Sequence, residues 1–157
     1  MTAGRNPAES ESGDSLPHPQ KIRKRTRARE LAVRALYLVD VRGRAARSDA
    51  EVFIRTQTSD PDVLRFAREL FEGCLERRDE LDEKIAGVAE NWGIHRMAVV
   101  DRNILRLGTY ELMALPDIPP KVSINEAIDL AKKYSTADSG AFVNGILDKL
   151  RTELRPD

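Results

Sequence analysis

Reactive and metal-binding side chains are scarce in this chain of 157 residues: it has one cysteine and two histidines. A lone Cys74 excludes an intramolecular disulfide framework and fits a reducing compartment. His18 falls in a polar leader and His95 in a polar break, neither with an evident nucleophile partner. One cysteine and two distant histidines make no metal cluster, and no glycine-rich phosphate loop is present. No apolar run approaches the ~20 residues that span a bilayer, and the first twenty residues lack the apolar centre of a signal peptide. These absences argue against an enzyme, a metal or cofactor carrier and a membrane protein, and lead to the expectation of a soluble cytoplasmic protein.

What is present is charge, unevenly placed. Lysines plus arginines and aspartates plus glutamates number 26 each, so the formal net charge is zero. Residues 21–47 nevertheless carry ten cations against two anions, and residues 48–95 six against twelve. Residues 1–20 hold one cation and three anions, and residues 96–157 balance. Such segregation describes two surfaces, one suited to a polyanion and one to a basic partner, or else a solvated helix face on which charges happen to cluster.

The periodicity is helical nearly throughout. Residues 1–20, with Pro7, Pro17, Pro19 and almost no large apolar side chain, read as a disordered N-terminal tail. Residues 21–157 then read as one domain, long enough for a core of its own. Ala28, Leu31, Ala32, Ala35, Leu36 and Val39 mark a first helix. Ser48 and Glu51 read as a capping box opening a short second one. Asp60-Pro61 gives an N-cap followed by proline at the first helical position. The apolar stripe Val63, Phe66, Ala67, Leu70, Phe71, Cys74 and Leu75 follows it. Leu81, Ile85, Val88, Ala89 and Trp92 suggest another helix, with Cys74 and Trp92 in the core. Val100 to Leu112 marks a largely buried helix, ended by Pro116, Pro119 and Pro120. Ser123 and Glu126 read as a second capping box, and Phe142, Val143, Ile146, Leu147 and Leu150 define the last helix. No strand is convincing. The expected fold is all-α, a bundle of about six or seven helices.

Two segments carry the candidate chemistry. Lys21–Arg34, KIRKRTRARELAVR, packs cations onto the start of the first helix against its macrodipole, at roughly 0.3–1 kcal/mol for each exposed charge. Local rules are often broken at functional sites. Arg25, Arg29, Val33 and Tyr37 share one i, i+4 row, able to offer guanidinium forks to phosphates and a phenol ring to a base. Arg27 and Arg34 fall on the opposite face. The second segment, Ile118–Leu150, places a polar turn between two helices, with Asp138 as an N-cap and Phe142 one turn in. Phe142 either fills the core or stays available for stacking. Asn144 and Gly145, poor helix formers inside a helix, require a packing or contact reason. A basic helix end facing a polar loop that carries an aromatic suits single-stranded RNA.

At these residues the chain resembles the NusB family. RARELAVRALY (Arg27–Tyr37), VDRNILRLGTYEL (Val100–Leu112), IPPKVSINEAIDLAKKY (Ile118–Tyr134) and FVNGILDKL (Phe142–Leu150) look like that family's motifs, in its order and spacing. The resemblance implies a helical fold of two packed sub-bundles. It implies a transcription antitermination factor that binds boxA single-stranded RNA of ribosomal RNA transcripts with ribosomal protein NusE, joining other Nus factors on RNA polymerase. Arg25 and Arg29 match basic RNA-contacting positions, Tyr37 the helix-one tyrosine near that surface, and Asp138 and Phe142 the C-terminal RNA-side positions. Asp101 matches an acidic position on the NusE face, in keeping with the acidic excess in residues 48–95. Glu111 matches a family glutamate and, interrupting an apolar face, reads as structural. Gly140-Ala141 departs from the bulky polar or basic pair common before the phenylalanine, and Thr26 stands where a further basic residue can occur. Both departures leave more of the phosphate contact to Lys21, Arg23 and Lys24.

Two other readings keep the same fold. NusB-like domains also begin some ribosomal RNA cytosine methyltransferases, although an end at Asp157 favours a freestanding factor. A helical protein–protein adaptor would direct the basic segment to acidic protein instead of RNA. A monomer and a homodimer would show the same periodicity.

Overall fold

The computed structural model describes residues 19–90 and 92–156. His18 and the tail expected over residues 1–20 lie outside the described residues, apart from Pro19 and Gln20. Those two already belong to the first helix. The helices are α1 (Pro19–Arg42), α2 (Arg47–Gln57), α3 (Pro61–Glu76), α4 (Arg78–Val88), α5 (Val99–Ala114), α6 (Pro120–Tyr134) and α7 (Ala137–Leu154), with 3-10 turns at Arg44–Ala46 and Ile94–Arg96. There is no strand among the described residues, and no helix is long and apolar enough to cross a membrane.

Two sub-bundles meet on α5. In the first, α1 packs along α3 and against α2; in the second, α4, α5, α6 and α7 pack together. Contacts of α5 with α1 and α3 join the halves. Their approach is close: a Cβ on Gly73 of α3 would lie 2.2 Å from Cζ of Tyr110 on α5, so only glycine fits there. One continuous apolar core runs from Ala28 to Leu150, with Leu31, Leu70, Phe71, Ile104 and Leu147 fully enclosed. Cys74 lies in it, and burial pushes its thiol up from the ordinary value. Trp92 does not. It stands 47% exposed beyond the end of α4, which stops at Val88 and leaves the ring outside the helical register expected to bury it.

Helix caps also depart from expectation. Asp60 accepts the Asp62 N–H at 2.9 Å with Pro61 at the first helical position, as the sequence predicts. Neither capping box forms. Helix α2 begins after Ala46 with no side-chain cap, placing Ser48 within its first turn. Helix α6 starts at Pro120, so Ser123 and Glu126 lie inside it and point to other work. The cap of α7 is Thr136, whose hydroxyl accepts the Ser139 N–H at 3.0 Å, and Asp138 is one of the residues after it.

Helix α5 is enclosed on nearly every side, and a helix in that position is normally apolar all round. This one buries Asn103, Arg106, Thr109 and Glu111. Two charge networks make that tolerable, because a buried charge must be paired and its hydrogen bonds completed. In the first, the Arg29 guanidinium of α1 donates to both oxygens of Glu111 at 2.7 and 2.9 Å and lies 3.4 Å from Glu126. The Ser123 hydroxyl donates to Glu111 at 2.7 Å, and Thr26 donates to Glu126 at 2.9 Å. Arg29 is 2% exposed. Its expected place in a row of RNA-facing arginines is therefore corrected: the guanidinium is consumed inside the protein, tying α1 to α5 and α6. In the second network Asp40 of α1 accepts from Arg102 at 2.8 Å, Asn103 at 2.9 Å and Arg106 at 3.0 Å, while Arg106 also grips Asp82 of α4 at 2.7 and 3.0 Å.

Truncating Glu111 to alanine leaves the buried Arg29 charge with Glu126 alone, at 3.4 Å, and breaking a buried pair costs about 3–5 kcal/mol. Urea unfolding followed by circular dichroism is expected to show a loss of that size; a change under 1 kcal/mol, the scale of an exposed pair, would assign Arg29 a solvated position. Asp40 sets an acid limit. Burial alone would raise its carboxyl, but hydrogen bonds from Arg102 and Asn103 and the charge of Arg106 outweigh it and hold the group at about 2. Unfolded, it titrates near ~3.9. Its contribution is complete above that value and disappears as pH falls through about 2, amounting to roughly 2 kcal/mol. Asp40→Asn is expected to be less stable at pH 7 and to lose less stability than wild type between pH 5 and 2.

Candidate nucleic-acid interface

The first turns of α1 hold no acidic residue. Of the cations there, Lys21 and Arg23 are exposed and make no ion pair or hydrogen bond with the described residues. Lys24 is engaged, lying 2.9 Å from Asp62 and 3.4 Å from Asp60 at the start of α3. That hydrogen bond to Asp62 raises the Lys24 ammonium and lowers the Asp62 carboxyl. Arg25 has no carboxylate partner; its guanidinium lies over the Phe66 ring of α3, 4.9 Å from the centroid. Buried Arg29 reaches the same ring at 5.5 Å. Between α1 and α3, Lys21, Lys24, Arg25, Asp62 and Phe66 line an open groove of about 490 Å³ that also includes Arg65 and Glu69.

The remaining expected site residues stand elsewhere. Tyr37 is 42% exposed and lies twelve residues beyond Arg25, about 18 Å along the helix axis. It lines a second, mainly apolar groove of about 330 Å³ with Arg34, Phe53, Val100 and Tyr134, where Arg34 rests 4.9 Å over Phe53. The expected single row of cations and phenol is therefore two grooves separated by buried Arg29. Asp138 is exposed in the first turn of α7, and Phe142 is half-buried against the core. Asp101, expected on a partner face, is only 8% exposed. Its Oδ2 accepts the Ser139 hydroxyl at 3.0 Å, while its buried Oδ1 has no hydrogen-bond partner among the described residues.

Lys21, Lys24 and Arg25 are thus brought together, Asp101 is linked to the start of α7 through Ser139, and Arg29 joins neither group. Sequence reasoning missed Phe66, Arg65 and Glu69. Phe66 falls in register with the buried stripe of α3 and was counted there, although its ring faces two arginines. The glycine of Gly140-Ala141 has a local reason: a Cβ at Gly140 would come within 3.2 Å of the Lys132 Cγ, so a larger residue would displace that lysine. Packing does not account for Gly145, whose added Cβ would meet nothing within 4 Å. Among the described residues no three His, Cys, Asp or Glu side chains are grouped to hold a metal ion.

Comparison with known proteins places this arrangement. Residues 26–152 match the sequence model of the NusB family. A transcription antitermination protein NusB of Desulfatibacillum aliphaticivorans is 42% identical over 131 residues, covering 83% of this chain and 92% of that relative. The protein of the same name from Anaeromyxobacter sp. (strain Fw109-5) is 46% identical over 135 residues, 85% and 94% of the two chains. Among solved structures, NusB of T. maritima superposes with a TM-score of 0.72 at 40% identity, over 82% of this chain and 91% of that one. A crystal structure of the antitermination factors NusB and NusE in complex with dsRNA gives 0.76 at 30% identity, over 83% and 98%. With the family model matched over residues 26–152 and relatives 42–46% identical along most of their length, the chain belongs to the NusB family.

Proposed function

We propose that this protein is a transcription antitermination factor. It binds boxA single-stranded RNA of ribosomal RNA transcripts together with ribosomal protein NusE, within a Nus-factor complex on RNA polymerase. It acts in the cytoplasm as a binding protein and catalyses no reaction. The observation that carries the reading is the sorting of cations on α1. Lys24, Arg27 and Arg29 are paired with carboxylates, whereas Lys21, Arg23 and Arg25 lie at one end with no carboxylate partner among the described residues. Unpaired cations beside an aromatic-lined groove suit a flexible polyanion with unstacked bases. The relatives bear the name antitermination protein, and one structural neighbour is NusB with NusE in complex with dsRNA.

The Tyr37 groove suits the protein partner better than RNA, since it is largely apolar and is lined by Val100, the residue before Asp101. Asp138 and Phe142, at the start of α7, extend the RNA side toward this partner face.

Fluorescence anisotropy of a boxA RNA, titrated with and without NusE beside scrambled and duplex RNA, tests the proposal. The expected result is preference for single-stranded boxA that tightens with NusE. Three unpaired cations predict a log–log salt slope of about −2, from ~0.7 per phosphate on single strands. Absence of boxA preference in both conditions would overturn the RNA reading and leave the basic end to an acidic protein.

A further inference from the structure

The groove between α1 and α3 has the make-up of a pocket for one base, beyond a strip of cations for phosphates. Its volume, about 490 Å³, exceeds what a single nucleobase fills and leaves room for the attached sugar. One wall is Arg25, whose guanidinium is backed by the Phe66 ring at 4.9 Å and has no carboxylate partner. A guanidinium fixed against an aromatic keeps its other face free, and such planes stack on unpaired bases. Lys21 lines the same groove and supplies charge for a flanking phosphate, while Arg65 there donates to Asp62 at 3.1 Å.

Glu69 is the unexpected member. It is exposed, lines this cationic groove, and has neither ion pair nor hydrogen bond with the described residues, although Arg65 stands one turn before it. A free carboxylate repels phosphate, so a groove meant only for the backbone gains nothing from it. A carboxylate does accept from the exocyclic amino groups of bases, as aspartate and glutamate accept from cytosine N4. Uracil carries no such amino group.

We propose that this groove takes a single unstacked base of the bound RNA. The base lies on Arg25, with Phe66 as the positioning residue behind it, and Glu69 selects an amino-bearing base over uracil. This rests on the RNA-binding reading above. Both grooves of the site then have separate tasks: base selection at the α1–α3 end and partner docking around Tyr37.

The test is anisotropy with the full chain and a series of boxA RNAs, each with one amino-bearing base replaced by uridine. In the wild-type protein one position is expected to stand out, replacement there weakening binding about ten-fold, the scale of a lost charged hydrogen bond. Glu69→Ala, on an exposed helical position, is expected to reduce that discrimination to within about two-fold while the other positions keep theirs. Phe66→Leu and Arg25→Gln are expected to weaken binding singly and to be non-additive together, because ring and guanidinium act as a unit. Melting curves of Phe66→Leu are taken first, to establish that the variant is folded. If wild type binds boxA but Glu69→Ala leaves every preference unchanged, or the two substitutions simply add, the base pocket is overturned and RNA binding stands. Failure of wild type to bind RNA at all overturns both.

Discussion

The carboxylate of Glu111 is the constraint on which the rest of the structure turns. It lies 1% exposed on a helix surrounded by apolar side chains, where an unpaired charge would be untenable. Three donors answer it: two N–H groups of the Arg29 guanidinium and the Ser123 hydroxyl. Since Arg29 belongs to α1 and Ser123 to α6, satisfying one carboxylate fixes both helices against α5. Glu126, one turn beyond Ser123, completes the arrangement by accepting from Thr26 and standing beside Arg29. Thr26 thus has a structural task that a longer basic residue at the same position would not perform in this geometry. The second network, around Asp40 and Arg106, repeats the principle at the other end of α5 and brings in α4 through Asp82. Buried pairs of this kind add little net stability compared with apolar packing, and their better-attested contribution is to register. Here they set the rotation of α1 about its own axis.

That rotation decides which cations remain for a ligand. With Arg29 turned inward, Arg25 one turn earlier comes over Phe66, and Lys24 meets the acidic start of α3 at Asp60 and Asp62. Lys21 and Arg23 are left in solvent. Tyr37, further along the helix, opens instead beside Phe53 and Tyr134. The two grooves are consequences of one orientation, separated along α1 by the segment in which Arg29 is locked.

Much of this was legible in the sequence, and the failures have physical causes. Apolar periodicity located six of the seven described helices, because burial of one stripe per helix dominates their formation, whereas α2 was marked only by the spacing of Ser48 and Glu51. Capping was less readable. Ser123–Glu126 has the spacing of a capping box, but Pro119 and Pro120 begin that helix a turn earlier, and the pair is spent on Glu111 and Arg29. Arg25 and Arg29 were indistinguishable by type, spacing and flanking residues. The signal separating them lay 82 residues away in Glu111, whose isolation within an apolar run required a cation from some other helix. That glutamate was read as structural; its partner was not identified, since pairing between helices leaves no periodic trace. Phe66 posed the reverse difficulty. A stripe position assigns a ring to the core, yet a ring at the stripe's edge can show a face to neighbouring guanidiniums. Trp92 was placed in the core by extending the α4 pattern past the residue at which that helix ends.

The charge pattern at the open end of α1 is intelligible only with a ligand in view. Lys21 and Arg23 sit against the positive pole of a 24-residue helix, where each exposed cation costs roughly 0.3–1 kcal/mol. Lys24 is relieved by Asp60 and Asp62, which shows that a carboxylate in reach can remove the cost. Among the described residues no such carboxylate serves Lys21, Arg23 or Arg25. A phosphate placed there interacts favourably with the side-chain cations and with the helix pole together, so binding relieves in one step a repulsion maintained in the free protein. Pairing all the cations internally would make α1 more stable and the groove inert. Leaving three unpaired at this end of α1, while Arg29 further along the same helix is paired inside, keeps the fold independent of the ligand while the surface depends on it.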